Sequence, residues 1–364
     1  MATIYTVGNG KTYSTIQDAV DALPGDLTGS GVHRIEVYAG GVQAGDGYFY
    51  DENVSLGLTI TTQNDYVEII GMVDHKGLRD TGIIIRSTGI LLHCLATGLV
   101  NYTRIRNIAF TGDHSQGIGP IEGVLLSSEG CWVDKCLFYD IYGEDGATGI
   151  SVDVVTELPS SETIITNCFI QNIKATAEEA NATGILFQSG MNEITNVVAN
   201  CTIHNISHEQ EDIKNYGIYG NEPHTIYVHN TSATNLYPIG YTDYAGDAVF
   251  YINYSISSDN SADAYLGGNN QTFLDPITAL LFVNPNIGEE DLHLSSKDSF
   301  AFDTGDPNSP NFMPNGYEYD YDIDGDSRPC FSLYDVGADE LCIGGSCCDT
   351  CCCCVNKRFK NRGR

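Results

Sequence analysis

Hydrophobic and polar positions between Arg106 and Leu236 repeat as one ten-residue phrase. Its clearest copies are Ile164-Ile165-Thr166-Asn167-Cys168-Phe169-Ile170-Gln171-Asn172-Ile173 and Val197-Val198-Ala199-Asn200-Cys201-Thr202-Ile203-His204-Asn205-Ile206. Trp132 to Ile141 forms a third copy, with a small residue at Cys136 and an apolar one at Phe138. Weaker copies surround Asn107 and Asn230. The phrase returns about every 30 residues, a period that marks a solenoid.

Within the phrase, Cys168 and Ile170 alternate with Phe169 and Gln171, the two-residue period of a strand. Asn167 and Asn172 bracket that strand, and asparagine tolerates the tight bends where a chain turns a corner. A second phrase, a glycine followed by a short apolar run, lies between the copies at Gly123, Gly149, Gly184 and Gly217. Each period therefore predicts at least two short strands, bends between them and no helix, which is one coil of an all-β parallel β-helix. Coils would stack about 4.8 Å apart. Cys136, Cys168, Cys201 and Thr231 are then expected as an inward column, and Asn107, Asn167, Asn200 and Asn230 as a corner ladder of amides.

The chain divides accordingly. Residues 1–30 read as an N-terminal cap with a helix over about 14–23. Ser14 or Thr15 is its N-cap, Ile16, Val20 and Leu23 line one face, and Pro24-Gly25 ends it. Residues 31–285 hold the coils, with 258–285 transitional. Residues 286–340 read as a C-terminal capping segment, because a solenoid's last coil exposes core and unpaired backbone. Residues 341–364 form a cysteine-rich and basic tail.

Two stretches resemble known families. Val7 through Thr15-Ile16-Gln17-Asp18-Ala19-Val20 to Ile35-Glu-Val-Tyr-Ala-Gly-Gly resembles the opening of pectin-lyase-like right-handed β-helix proteins. The resemblance implies a single-stranded right-handed parallel β-helix; it implies no one activity, since the fold hosts lyases, hydrolases, esterases, phage tailspikes and adhesins. Phe282-Val-Asn-Pro, Glu290-Asp-Leu-His-Leu, Phe302-Asp-Thr-Gly-Asp, Asp322-Ile-Asp-Gly-Asp-Ser-Arg-Pro and Asp335-Val-Gly-Ala-Asp-Glu340 follow in an order similar to the closing segment of choice-of-anchor surface proteins. That resemblance implies a structural segment without catalytic residues. Trp132-Val-Asp-Lys-Cys is similar to a pectate lyase segment, but Lys135 stands where that family has histidine, and the stretch reads as an ordinary coil.

Charge narrows the partners. Against 17 basic residues stand 48 acidic ones, a net charge of −31, which argues against nucleic acid and favours glycans or divalent cations. The first residues lack a basic and then apolar run, so they do not read as a secretory signal. The expected location is extracellular or on a virion surface, reached through a trimmed signal or by host lysis. Five of the thirteen cysteines lie in the coils, where they read mainly as small buried residues; eight lie at or after Cys330.

Candidate chemistry falls in three places. Loops after the repeated strands are acidic, at Asp113 and Glu122, Glu144 and Asp145, Glu178 and Glu179, Glu209, Glu211 and Asp212, then Asp243 and Asp247. Stacked, they would form a ridge. Tyr142, Tyr216, Tyr219, Tyr237, Tyr241 and Tyr244 lie in or beside it, and rings among carboxylates suit glycan binding. If the protein is an enzyme, Glu144, Asp145, Glu178, Glu179, Glu209, Glu211 and Asp212 are its candidate catalytic acids, since a carboxylate pair can hydrolyse a glycoside. Asp320, Asp322, Asp324 and Asp326, with Gly325, match the first half of a calcium loop, although Phe331 stands where the closing Glu belongs. In the tail, Cys347, Cys348, Cys351, Cys352, Cys353 and Cys354 precede Lys357 and Arg358. The tail reads as an attachment device that binds a soft metal, carries lipid or cross-links copies into a homo-oligomer or larger assembly. The leading expectation is a structural or adhesive surface rod, such as a phage tailspike, fibre or decoration protein, that contacts glycans or neighbouring subunits. The alternatives are a polysaccharide-degrading enzyme and a secreted bacterial adhesin.

Overall fold

The computed structural model describes residues 2–57, 59–87, 93–114, 119–154, 162–178, 180–188, 194–208, 215–220, 224–234, 238–243, 248–259, 261–272, 280, 282–297, 299–306 and 321–342. The chain winds through three long, almost wholly parallel sheets. The first runs from Thr3–Val7 to Leu266–Gly268, ten strands in chain order. The second has ten strands, nine of them in a parallel stack from Asp46–Asp51 to Gln271–Thr272, with Val42–Ala44 antiparallel at its edge. The third has seven, from Val54–Ser55 to Pro238–Asp243. A coil thus contributes one strand to each sheet, and the fold is a right-handed parallel β-helix.

Registry is vertical. On the first sheet Ile35, Ile69, Ile105, Val133, Ile165, Val198, Val228 and Ile252 pair in sequence from coil to coil, and all are fully buried. Each such side chain contributes about 1.5–3 kcal/mol of burial. Phe110 and Phe138 stack on the second sheet at 5.0 Å. Cys136, Cys168 and Cys201 are buried at successive corners, where Phe169 N donates to Cys136 O at 3.1 Å and Thr202 N to Cys168 O at 2.9 Å.

The repeated phrase is the corner between the first and second sheets. Asn107, Asn167, Asn200 and Asn230 all adopt positive φ, near 50°, the left-handed region that asparagine enters more readily than most residues. The amides form a ladder: Asn200 Nδ2 donates to Asn167 Oδ1 at 3.3 Å and Asn167 Nδ2 to Asp134 Oδ1 at 2.9 Å. The glycine phrase is the third sheet. At Gly149 a Cβ would come within 2.7 Å of Gly184 O, so the position excludes a side chain.

At the N-terminus a short helix spans Ile16–Asp21, with Thr15 as N-cap accepting from Asp18 N. Ile16, Ala19 and Val20 join the main core, and Glu52 accepts from the N–H groups of Ile16 and Gln17 at 2.9 Å each.

The C-terminal segment corrects one expectation. As far as it is described, it lies along the rod's side rather than over its end. Phe282, Leu292, Leu294, Ala301, Ile323, Val336 and Ala338 pack on Ile84, Ala109, Leu137 and Phe169, which point outward from the second sheet. Gly337 N donates to Asn230 O at 2.8 Å, Ala338 N to Thr202 Oγ1 at 3.0 Å, and Arg79 reaches Glu290 at 2.5 Å, contacts spread over several coils. The physical reason is that the second sheet is apolar on both faces, and such a sheet needs cover on both. Near the last coil, Ala262 of the short helix Ser261–Ala264 enters the core instead.

Candidate functional site

The third sheet offers an outer face to which the described C-terminal segment contributes no core contact. Register places its outward side chains in two lines. Glu122, Thr148, Thr183 and Tyr216 are paired through four coils, and Leu125, Ser151, Leu186 and Tyr219 through the same four. Three coil spacings separate Glu122 from Tyr216, about 14 Å. The Tyr216 and Tyr219 rings stack at 4.4 Å and 10°. Gln188 Nε2 donates to Ser151 Oγ at 3.1 Å. Asp145, Thr148, Thr183, Leu186, Gln188 and Tyr219 line an open groove of about 490 Å³. This mixture of one aromatic ring, an aliphatic floor and hydrogen-bonding edges is the usual chemistry of a sugar site.

Glu122 stands at one end of this face, half-buried, beside His93 of the preceding coil. Burial pushes its carboxyl up to about 7, with Asp153 adding to the rise and a Ser151 hydrogen bond opposing it. A carboxyl poised there can donate a proton near neutral pH. Burial also lowers the pKa of His93. Glu122 was expected in a loop; it lies within the strand Ile121–Leu126.

The acidic bends stack as far as they are described. Thr176 N donates to Gly143 O at 3.1 Å and Ala177 N to Glu144 O at 2.8 Å, with Glu144, Asp145 and Glu178 exposed. Asp145 also accepts from Gly119 N at 2.8 Å. Tyr142 is half-buried on the second sheet, its hydroxyl on Asp140 at 3.0 Å, away from the groove. Glu179, Glu209, Glu211, Asp212, Tyr237 and Tyr244 lie outside the described residues. Tyr241 corrects an expectation. It is fully buried in the core, its hydroxyl donating to Thr231 O at 2.9 Å and Ile256 O at 3.2 Å. It pairs with the inward Ile218, so its position in the strand, not its proximity to the acidic loops, decides its direction.

The aspartate turn is built around Asp322. Its Oδ1 accepts from Asp326 N at 2.6 Å and its Oδ2 from Glu340 N at 3.0 Å. Burial, and then Asp324, raises its carboxyl to about 9. One oxygen each from Asp322, Asp324 and Asp326 lies within 4.8 Å of the others, while Asp320 lies outside the described residues. Arg328 reaches Gly337 O at 3.0 Å and Glu340 at 3.7 Å, and its charge opposes the rise at Asp322. Beside the turn stand His293 and Asp339, which sequence reasoning missed as site residues. Their only signal was membership of the closing motifs, because the separation in sequence hides the meeting. Cys330 and Cys342 form a disulfide with Cα atoms 5.6 Å apart. The tail positions Cys347, Cys348, Cys351, Cys352, Cys353, Cys354, Lys357 and Arg358 lie outside the described residues. No helix among the described residues is long and apolar enough to cross a membrane.

No family model matches the chain, and no curated protein does. Among solved structures it is similar to the pectin methylesterase from carrot, at 15% identity over 76% of this chain and 90% of that one, with a TM-score of 0.41. It is also similar to the Aspergillus niger pectin methylesterase in deglycosylated form, at 13% identity over 86% and 97% of the chains, with a TM-score of 0.40. The third is pectate lyase Pel9A, at 12% identity over 93% and 96%, with a TM-score of 0.31. These are likenesses of outline; the β-helix itself is established by the register and stacking above.

Proposed function

We propose that this chain is a surface rod, carried on a virion or a cell, that binds glycan along the outer face of its third sheet. The observation that carries the reading is Tyr219, stacked on Tyr216, opening onto a groove edged by Asp145, Thr183 and Gln188. A ring held in place by a second ring offers a sugar a flat apolar face at little entropic cost. The carboxylate and amide accept and donate the hydroxyl hydrogen bonds that set orientation. The net charge of −31 favours a neutral or cationic glycan over a polyanion. The Cys330–Cys342 disulfide supports an oxidising, extracellular setting. Attachment and assembly are assigned to the basic, cysteine-rich tail.

Binding to an oligosaccharide array, followed by titration calorimetry on the best ligand, tests the reading. Tyr219→Ala should weaken binding at least 10-fold, about the loss of one good ring contact. Unchanged affinity in that variant would remove the groove from the argument.

One observation favours a second reading, glycan cleavage. Glu122 sits on the same face with a carboxyl raised to about 7, suited to a general acid. Release of reducing ends from the bound glycan, lost in Glu122→Gln while binding persists, would favour the enzyme over the passive rod.

A further inference from the structure

Away from the glycan face, three separate pieces of the C-terminal segment bring metal-ligating side chains together. His293 comes from the strand Asp291–Leu294, Asp324 from the aspartate turn and Asp339 from the closing stretch. One ligand atom of each lies within 4.8 Å of the other two. The imidazole is oriented twice over. Its ring packs edge-on against Phe169 at 5.3 Å, and Nδ1 is engaged by Asp291 Oδ1 at 2.6 Å. That leaves Nε2 for the cluster.

His293 Nε2 and Asp324 Oδ1 are both closed off from solvent, and neither has a hydrogen-bond partner. Buried polar atoms are nearly always satisfied, so two orphans at one spot call for a missing partner. A proton on Nε2 does not supply it, because no hydrogen bond joins the imidazole to either cluster carboxylate. Lys135 of the coils rests over the Tyr321 ring at 5.4 Å. A divalent ion does supply it. Ligand atoms about 2.1 Å from a tetrahedral ion lie about 3.4 Å apart, so drawing in atoms that now lie within 4.8 Å of one another moves each by under about 1 Å.

We propose that His293, Asp324 and Asp339 bind a divalent transition-metal ion, of which zinc is the test case, and that the ion staples the Phe282–Leu294 hairpin to the closing turn on the flank of the rod. The ligand set selects the ion. Calcium prefers an all-oxygen shell, whereas imidazole suits zinc and its neighbours. Both oxygens of Asp322 already accept backbone N–H bonds that hold the turn in shape. Asp291 on the far nitrogen completes a carboxylate–histidine–metal arrangement, which fixes the tautomer that leaves Nε2 as the ligand.

The test uses the full chain with Cys347→Ser and the same change at the five following tail cysteines, so that the tail binds no metal. Protein stripped with a chelator is titrated with Zn²⁺ and, separately, Ca²⁺, and bound metal is counted by elemental analysis after gel filtration. The expected result is one zinc per chain, a melting temperature raised by zinc, and at least 100-fold weaker binding in His293→Ala and Asp339→Asn. Asp291→Asn should weaken binding about 10-fold through loss of orientation alone. Asp326→Asn should bind zinc as the parent does. Circular dichroism of each variant without metal checks that the coils still fold. Calcium uptake that is abolished by Asp326→Asn and indifferent to His293→Ala would overturn the proposal in favour of the aspartate loop. Absence of stoichiometric zinc in the folded parent protein would overturn it outright.

Discussion

Asn167 gives the sharpest test of the corner ladder. It is fully buried, holds φ at 51°, donates to Asp134 and accepts from Asn200. Replacing it with alanine has two separable costs. Forcing a Cβ without a polar tip into the left-handed region costs about 1–2 kcal/mol. Losing two buried hydrogen bonds, one to a carboxylate, costs about 2–4 kcal/mol, moderated because Asp134 keeps Thr166 at 2.9 Å and Arg106 at 3.2 Å. Asn167→Ala should therefore destabilise by about 4 kcal/mol. Asn167→Gly removes the same hydrogen bonds but accepts the positive φ, so it should cost about 1 kcal/mol less. Urea unfolding followed by far-ultraviolet circular dichroism measures both. Equal losses in the two variants, or a loss below about 1 kcal/mol in either, would refute the idea that asparagine is there for its backbone as well as its amide.

Three further outcomes follow from the same geometry. Tyr241→Phe should lower stability by about 1–2 kcal/mol, through the lost donations to Thr231 and Ile256, and leave glycan affinity unchanged; denaturant midpoints and calorimetry separate the two. Glu122 has a folded-state carboxyl above its ordinary value of 4.5, so its contribution is complete below about 4.5 and is lost as pH rises through about 7. Glu122→Gln should flatten the fall in melting temperature across that window; an unchanged profile would show that Glu122 is not held neutral. Ile165→Ala, in the inward column between Val133 and Val198, should cost about 2–5 kcal/mol, and hydrogen exchange should accelerate most in the coils next to it, because a solenoid transmits stability between neighbours.

Much of the architecture was readable before any coordinates. The alternation at Cys168–Gln171 and the spacing of Asn167 and Asn200 set the coil, because in a solenoid a residue's contacts are the same residue one period away. Local pattern and tertiary contact then coincide. The third strand of each coil was legible only as a glycine and a short apolar run, and its weight as a full sheet emerged from pairing across seven strands.

The sites were less legible, since they are made between elements that no period relates. Tyr216, Tyr219 and Tyr241 look alike in the sequence; strand phase turns Tyr241 into the core and leaves Tyr219 half-exposed at the groove. The spacing of Asp322, Asp324 and Asp326 resembles a cation loop, yet nothing in the sequence tells that His293 and Asp339 reach the same place from distant stretches. The repeat alone determined that like residues would lie over like residues in a stack of coils. Only the tertiary structure decided that the C-terminal segment would fold back along the second sheet, because the apolar outward side chains it covers are scattered over successive coils and become one surface only when those coils are stacked.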